Sequence, residues 1–402
     1  MKILLINKFY YLRGGDCTAV FGAEQLLRDK GHEVAVFSMQ HPDNEPTVWS
    51  RYFPKEVSFA AKGIAGKIAA ATRIFHSPEV AKKFKQLLSD FKPDVVHLHN
   101  IHSYLSPIVA KIAHQQGIRV VWTLHDYKLV CPTYTCLRDG TVCEACFHNK
   151  FNVVRHKCMK NSVIASLLSC MEAFYWNRKK LSGTTDTFIS PSAFLKTKMT
   201  EAGYSPQQIA VVPNFMPQKL TPESVKGDYY CYVGRLTTEK GIDTLLRAAA
   251  SLPFRLKIIG GGPLTDVCRQ QYPQDHIEFL GRMSPAELYP VVRKARFVVL
   301  PSIWYENNPF SLIEALCMGT PVLGARIGGI PELITEGKNG YLFASGDVRG
   351  LQEKISLFFS KDGQQMEAEK IAVEANEKFS PNVYYRQLMA IYSGFCGANP
   401  DS

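Results

Sequence analysis

Short apolar runs recur along the chain, and glycine-rich or polar loops separate them. KILLIN at the start reads as a buried strand. RGGDCTAVFGAEQLLRDKGHEVAVF follows as a glycine loop, a helix closing near Gly31 and a strand from Val34 to Phe37. PDVVHLHN and RVVWTLHDY are two more strands with a helix between them, and TDTFISPS is another. Strands alternating with helices predict a mostly parallel sheet. The second half repeats the scheme, with strands YYCYVG, RLKIIGG, IEFLG, RFVVLP and PVLGA and helices near 241–251, 284–294 and 309–318. Between the halves, VVPNFMPQKLTPESVKGD carries Pro213, Pro217, Pro222 and Gly227, residues that end regular structure. The organisation read from this pattern is a first α/β domain over 1–212, a linker over 213–228, a second α/β domain over 229–375, and a C-terminal helix and tail over 376–402 that packs back on the first domain. Each half is Rossmann-like, so a ligand is expected at the carboxyl ends of the strands.

A chain of 402 residues with 46% apolar and 21% charged residues fits two soluble domains. No apolar run is long enough to span a bilayer. The basic, briefly apolar start reads as a strand rather than a signal peptide, which points to the cytoplasm. The net charge of +11 is uneven: residues 1–210 hold 27 Lys and Arg against 16 Asp and Glu, while 211–402 hold 20 of each. The basic half could meet an anionic membrane, an anionic substrate or nucleic acid. No interleaving of aromatic and basic residues and no helix-turn-helix pattern supports nucleic acid. Eleven cysteines, five of them between 131 and 158, are an odd count that argues against a disulfide scaffold.

The candidate chemistry lies at the strand ends of the second half. YVGRLTTEKG puts Gly234, Arg235 and Lys240 in one loop, and two cations beside a glycine suit a diphosphate. IIGGGPL offers Gly260, Gly261 and Gly262, where bare backbone can approach a ligand. RIGGIPELI is a further glycine turn. ENNPFSLIEAL places Glu306 before a helix and Glu314 inside it, with Pro309 at the first helical position. Glu314 sits among Leu312, Ile313, Ala315 and Leu316, company in which a carboxylate requires a partner. In the first half, His97 and His99 share one face of a strand, and His125 ends the next. Cys143-x2-Cys146 is a zinc half-site that Cys131, Cys136 or Cys158 could complete, and free buried thiols are the alternative.

In this order the motifs resemble the retaining glycosyltransferases of family 4, whose GT-B architecture has two facing Rossmann-like domains. The resemblance is carried by Gly14-Gly15, by VGR with Lys240-Gly241, by GGGP, and by Glu306 and Glu314 at E-x7-E spacing. It implies a nucleotide-diphosphate sugar as donor and a glycan or lipid-linked hydroxyl acceptor. Glu314 would bind the ribose hydroxyls and Glu306 would face the transferred sugar. Backbone from Pro309 through Phe310, Ser311 and Leu312, with Gly15, Gly234 and Gly262, would approach the donor. Arg235 and Lys240 would stabilise the leaving diphosphate, and His125 would bond a sugar hydroxyl. No metal is implied for catalysis, because no Asp-x-Asp is present. A subset of the family shares the cysteine pattern, which implies a structural zinc on Cys131, Cys143, Cys146 and Cys158. Surface polysaccharide or lipopolysaccharide assembly is the implied setting, with an epimerase or phosphorylase on the same fold as the alternative. Finally, AAKGIAGKIAAATRIF (60–75) places Ile64, Ile68, Ala71 and Phe75 at helical spacing, with Lys62, Lys67 and Arg73 mostly off that stripe. A basic amphipathic helix of this kind suits the inner face of an anionic membrane.

Overall fold

In the computed structural model, which describes residues 1–57, 73–75, 77–360 and 366–394, the strands form two separate six-stranded sheets with every pairing parallel. The first contains β1 (Lys2–Ile6), β2 (Glu33–Phe37), β3 (Val95–Leu98), β4 (Arg119–Thr123), β7 (Thr187–Ser190) and β8 (Ile209–Val211). Its order is β2-β1-β3-β4-β7-β8. A small hairpin of β5 (Leu137–Arg138) and β6 (Thr141–Val142) interrupts the sequence. The second sheet contains β9 (Tyr229–Val233), β10 (Arg255–Ile259), β11 (Ile277–Gly281), β12 (Val298–Leu300), β13 (Val322–Ala325) and β14 (Gly340–Phe343), in the order β11-β10-β9-β12-β13-β14.

Helices cover both faces of the second sheet, and this is why its strands are apolar at successive positions. Tyr229 and Cys231 of β9 point into one core cluster, with Val298, Leu312 and Leu316. Tyr230 and Tyr232, one residue out of phase, point into the other, with Leu245, Val299 and Phe358. The alternation follows from the period of two in a strand.

Two compact units result: Met1–Cys136, Glu144–Pro213 and Tyr384–Ser402 form one, and Leu137–Cys143 with Asn214–Val383 form the other. The return to the first unit comes within helix Pro381–Tyr392, where Leu388 and Tyr392 are buried. Tyr392 shares a hydrogen bond of 2.7 Å with His97 of β3, and the Arg119 side chain donates to Ile391 O at 2.9 Å. Arg73, expected on the polar side of an amphipathic stretch, is instead buried. It donates to Lys55 O at 3.1 Å and pairs with Glu79 at 3.0 Å, because an unpaired guanidinium would not be tolerated there. Residues 60–72 of that stretch lie outside the described residues.

Candidate active site

In the second sheet the strand order reverses between β9 and β12, so the loops that leave their carboxyl ends run side by side. Gly241 closes the loop after β9 with φ +69°, and a Cβ there would lie 1.8 Å from Pro301 O at the end of β12. Only glycine permits both the left-handed backbone and that approach. Ile303 N donates to Glu239 O at 3.0 Å and joins the loops. The result brings Lys240 Nζ to within 2.6 Å of Glu306 Oε1.

Glu306 is buried, and its Oε1 also accepts from Ser302 Oγ at 2.6 Å and from Trp304 Nε1 at 2.8 Å. The Lys240 ammonium lies 5.2 Å from the Trp304 ring centre, close enough for a cation–π contact. Burial by itself would raise the Glu306 carboxyl. The lysine, Ser302 and Trp304 outweigh it and hold the group below the ordinary carboxylate range. Every one of these donors uses Oε1; among the described residues Oε2 accepts no hydrogen bond. Ser302 and Trp304 were absent from the residues expected for the site, although both stand within four positions of Glu306 in PSIWYE.

The segment after Glu306 leads into helix Phe310–Cys317. Pro309 is its N-cap, one position earlier than expected, with φ −69° and ψ 120° and no side-chain cap. The N–H groups of Phe310 and Ser311 therefore have no acceptor within the helix. Leu312 N–H donates to Pro309 O at 3.2 Å. Asn308 is buried, and it ties this turn to the linker: Asn214 N donates to its Oδ1 and Asn214 Nδ2 to its O, both at 2.8 Å.

Glu314 is the opposite of Glu306 in its partners and in the direction of its shift. Among the described residues its carboxylate makes no hydrogen bond or ion pair, and burial raises it from the ordinary 4.5 to about 7. Among the described residues, none supplies the partner that its sequence surroundings call for. Arg235 is mostly exposed and forms a long pair with Glu239 at 3.3 Å. Gly234 and Gly262 lie in neighbouring loops, since Gly234 N donates to Ile259 O at 3.0 Å and Leu236 N to Gly261 O at 3.2 Å.

In the first unit, Gly15 begins helix Gly15–Asp29, and Gly14 is its N-cap in an extended conformation. At the switch point of that sheet, Asn100 N donates to Asn7 Oδ1 at 3.1 Å and Asn100 Nδ2 to Asp16 Oδ2 at 2.7 Å. His125 shares a hydrogen bond of 2.9 Å with His99. Burial is the chief cause that lowers His125 to about 4, with Asp16 opposing, so its ring is neutral near pH 7. His97 bonds Tyr392 and, at 2.8 Å, Thr123, which makes it a structural histidine. A cavity of about 620 Å³ elsewhere in this unit is lined by Lys128, Glu172, Trp176 and Arg178; none of the residues expected for donor chemistry lines it.

The cysteines of the expected zinc set lie in two groupings. A hydrogen bond from the Cys136 thiol draws Cys131 down to about 5, and Cys146 packs with Val153, Cys158 and Cys170 in a small apolar cluster. Among the described residues no three His, Cys, Asp or Glu side chains converge as a metal-holding group.

Residues 20–218 match the family model described as Glycosyltransferase Family 4, and residues 218–380 match the one described as Glycosyl transferases group 1. The chain belongs to the GT-B glycosyltransferases. This glycosyltransferase is 27% identical to an uncharacterized 42.6 kDa protein in the cps region of Klebsiella pneumoniae, over 98% of this chain and 100% of that one. It is 30% identical to the putative colanic acid biosynthesis glycosyltransferase WcaL of Salmonella typhimurium, over 51% of this chain and 56% of that one. Among solved structures it is similar to Anabaena HepE in complex with UDP-glucose, with TM-score 0.69 and 18% identity over 98% and 99% of the two chains. That last likeness speaks to the fold. The two matched domains make this chain a glycosyltransferase enzyme.

Proposed function

We propose that this glycosyltransferase moves a sugar from a nucleotide-diphosphate donor to a hydroxyl acceptor with retention of anomeric configuration. The setting we propose is surface polysaccharide or lipopolysaccharide assembly in the cytoplasm, on a glycan or lipid-linked acceptor. The observation that carries the reading is the contrast between two glutamates on either side of an uncapped helix start. Glu306 is charged and pinned by three donors, whereas Glu314 is partly buried and makes no hydrogen bond or ion pair among the described residues. A carboxylate in the second state lacks hydroxyl donors, and a ribose diol would supply two. The free N–H groups of Phe310 and Ser311 would take the diphosphate, with Arg235 and Lys240 as cations beside it. Backbone at Gly15, Gly234 and Gly262 would approach the donor, and neutral His125 would bond a sugar hydroxyl.

The retaining course rests on the resemblance to the retaining family 4 enzymes, with Glu306, its Oε1 held by Lys240, Ser302 and Trp304, facing the transferred sugar. In the step we favour, the bond from the anomeric carbon to the diphosphate breaks and the acceptor oxygen bonds that carbon from the same face. The acceptor proton passes to the departing phosphate. Two relatives support the setting: one lies in a cps region and one is named for colanic acid biosynthesis. The HepE structure holds UDP-glucose, a donor of this class.

Calorimetry with UDP-glucose and a panel of other nucleotide sugars tests the reading through Glu314. These donors carry no phosphate that titrates near neutrality, so a pH dependence reports on the protein. Hydroxyl donors favour the charged carboxylate, so binding expels a proton. Affinity should therefore rise with pH up to about 7 and level off above it. Without ligand the sign for folding is opposite: stability present below 4.5 is lost as pH rises through about 7. Glu314→Gln should flatten the binding profile and weaken the preferred donor by roughly 1–3 kcal/mol. A pH-independent wild type that binds as tightly as the variant would refute the assignment.

A further inference from the structure

We propose that helix Val163–Tyr175 docks the protein on an anionic membrane surface. The helix is amphipathic in the reverse of the usual sense. Its polar side chains Ser166, Ser169 and Glu172 are buried. Ser166 Oγ accepts from Met159 N at 3.0 Å, and Glu172 pairs with Lys128 at 2.8 Å and accepts from Ser103 Oγ at 3.0 Å. Its outer face is apolar: Ile164 is 74% exposed, and Leu167, Met171 and Phe174 continue the stripe at spacings of three and four. Val163 and Tyr175 widen it at the ends, and Phe151, 60% exposed, extends it by packing at a tilt against Phe174, 5.0 Å between ring centres. Water is a poor solvent for such a face.

Charge identifies the partner. Between residues 150 and 180 the chain has seven Lys and Arg and one acidic residue, Glu172, which is turned inward. Arg155, Lys157 and Lys160 precede the helix, Arg178, Lys179 and Lys180 follow it, and all six are exposed. Lys180 lies 4.3 Å from the Tyr175 ring centre, so cation and aromatic share one rim of the stripe. An apolar stripe edged by cations at both ends matches a bilayer with anionic headgroups, which takes the apolar side chains below the headgroups and the cations among them. Pairing with a second copy through the same face would set two rings of six cations against each other. A nucleic acid would leave the aliphatic stripe in water. Docking stands on this helix; its use, to bring the enzyme to a lipid-carried acceptor, rests on the reading above.

The test is flotation of the full-length protein with phosphatidylcholine vesicles, with and without phosphatidylglycerol. The wild type should float with anionic vesicles, with binding weakened by salt. Two variant sets should each reduce the bound fraction about tenfold: Ile164→Gln with Leu167→Gln and Met171→Gln, and Lys157→Glu with Lys160→Glu, Lys179→Glu and Lys180→Glu. Unchanged melting temperatures and unchanged donor affinity in calorimetry would show that fold and donor site are intact. Failure of the donor assay alone therefore leaves docking standing, and failure of flotation alone leaves the transferase reading standing. Three results would overturn docking: wild-type protein left in the soluble fraction at low salt, apolar variants that bind like the wild type, or a wild-type dimer that the apolar variants dissociate.

Discussion

At the scale of single residues, the pairing of Lys240 with Glu306 changes what a mutation at each cation should do. Both Arg235 and Lys240 stand in the proposed diphosphate site, so loss of either should slow turnover. Their costs to folding differ. Arg235 is exposed, and Arg235→Ala should change stability by about 0.5 kcal/mol or less. Lys240→Ala leaves a buried carboxylate with two neutral donors and should cost about 3–5 kcal/mol. Urea unfolding compares them. Adding Glu306→Gln to Lys240→Ala should restore part of that stability and none of the turnover. Equal stability of the two single variants would mean that the ion pair is not formed in solution. Neither the donors Ser302 and Trp304 nor this pair was legible from sequence, since the pairing spans 66 positions and depends on which loops the sheet brings together.

At the scale of elements, the turn after β13 supports the same glutamate from its backbone side. Gly329 N donates to Glu306 O at 2.7 Å, and Gly328 has φ +61° with room for no Cβ: one would fall 2.4 Å from Glu306 O and 2.6 Å from Glu306 N. Gly328→Ala should cost more than the roughly 1–2 kcal/mol of a left-handed alanine, and should lower turnover by displacing Glu306. Gly337→Ala is the control. It has φ +78° in open space, so only the conformational cost applies. Thermal melts of both variants check this, and equal losses would refute the backbone support. The long apolar strands were readable because burial on both faces leaves an unbroken run. Strands β8 and β14 were not: three and four residues long, they are defined by pairing with β7 and β13 rather than by any pattern of their own. Helix Val163–Tyr175 escaped periodicity for a different reason, because its apolar face is the exposed one.

At the scale of the whole molecule, the C-terminal segment is a structural part of the first unit. His97 is buried with both ring nitrogens bonded, one to Tyr392 and one to Thr123. Tyr392→Phe removes the first partner and leaves a buried nitrogen unsatisfied, which should cost about 1–3 kcal/mol in urea unfolding. Burial, with His125 second, lowers His97 to about 3, so the native ring resists protonation. Its contribution is present above the ordinary 6.5 and is lost as pH falls toward 3, and Tyr392→Phe should unfold at a higher pH in acid titration. An unchanged midpoint would show that the tail does not bear on this core.

What the sequence determined by itself is local or periodic. The parallel α/β class follows from strand and helix periods, and the glycine and proline breaks follow from backbone sterics. The candidate residues at the strand ends follow from the rule that loops leaving a parallel sheet carry the chemistry. Glu314 was legible as a carboxylate in need of a partner because its neighbours are apolar for a full turn. Tertiary structure decided the rest. It set the order of strands, hence the meeting of the β9 and β12 loops, and it separated a charged Glu306 from a Glu314 raised to about 7. It also placed the Cys136 thiol against Cys131. Those outcomes depend on which distant groups share a low-dielectric space, and no spacing along the chain encodes that distance.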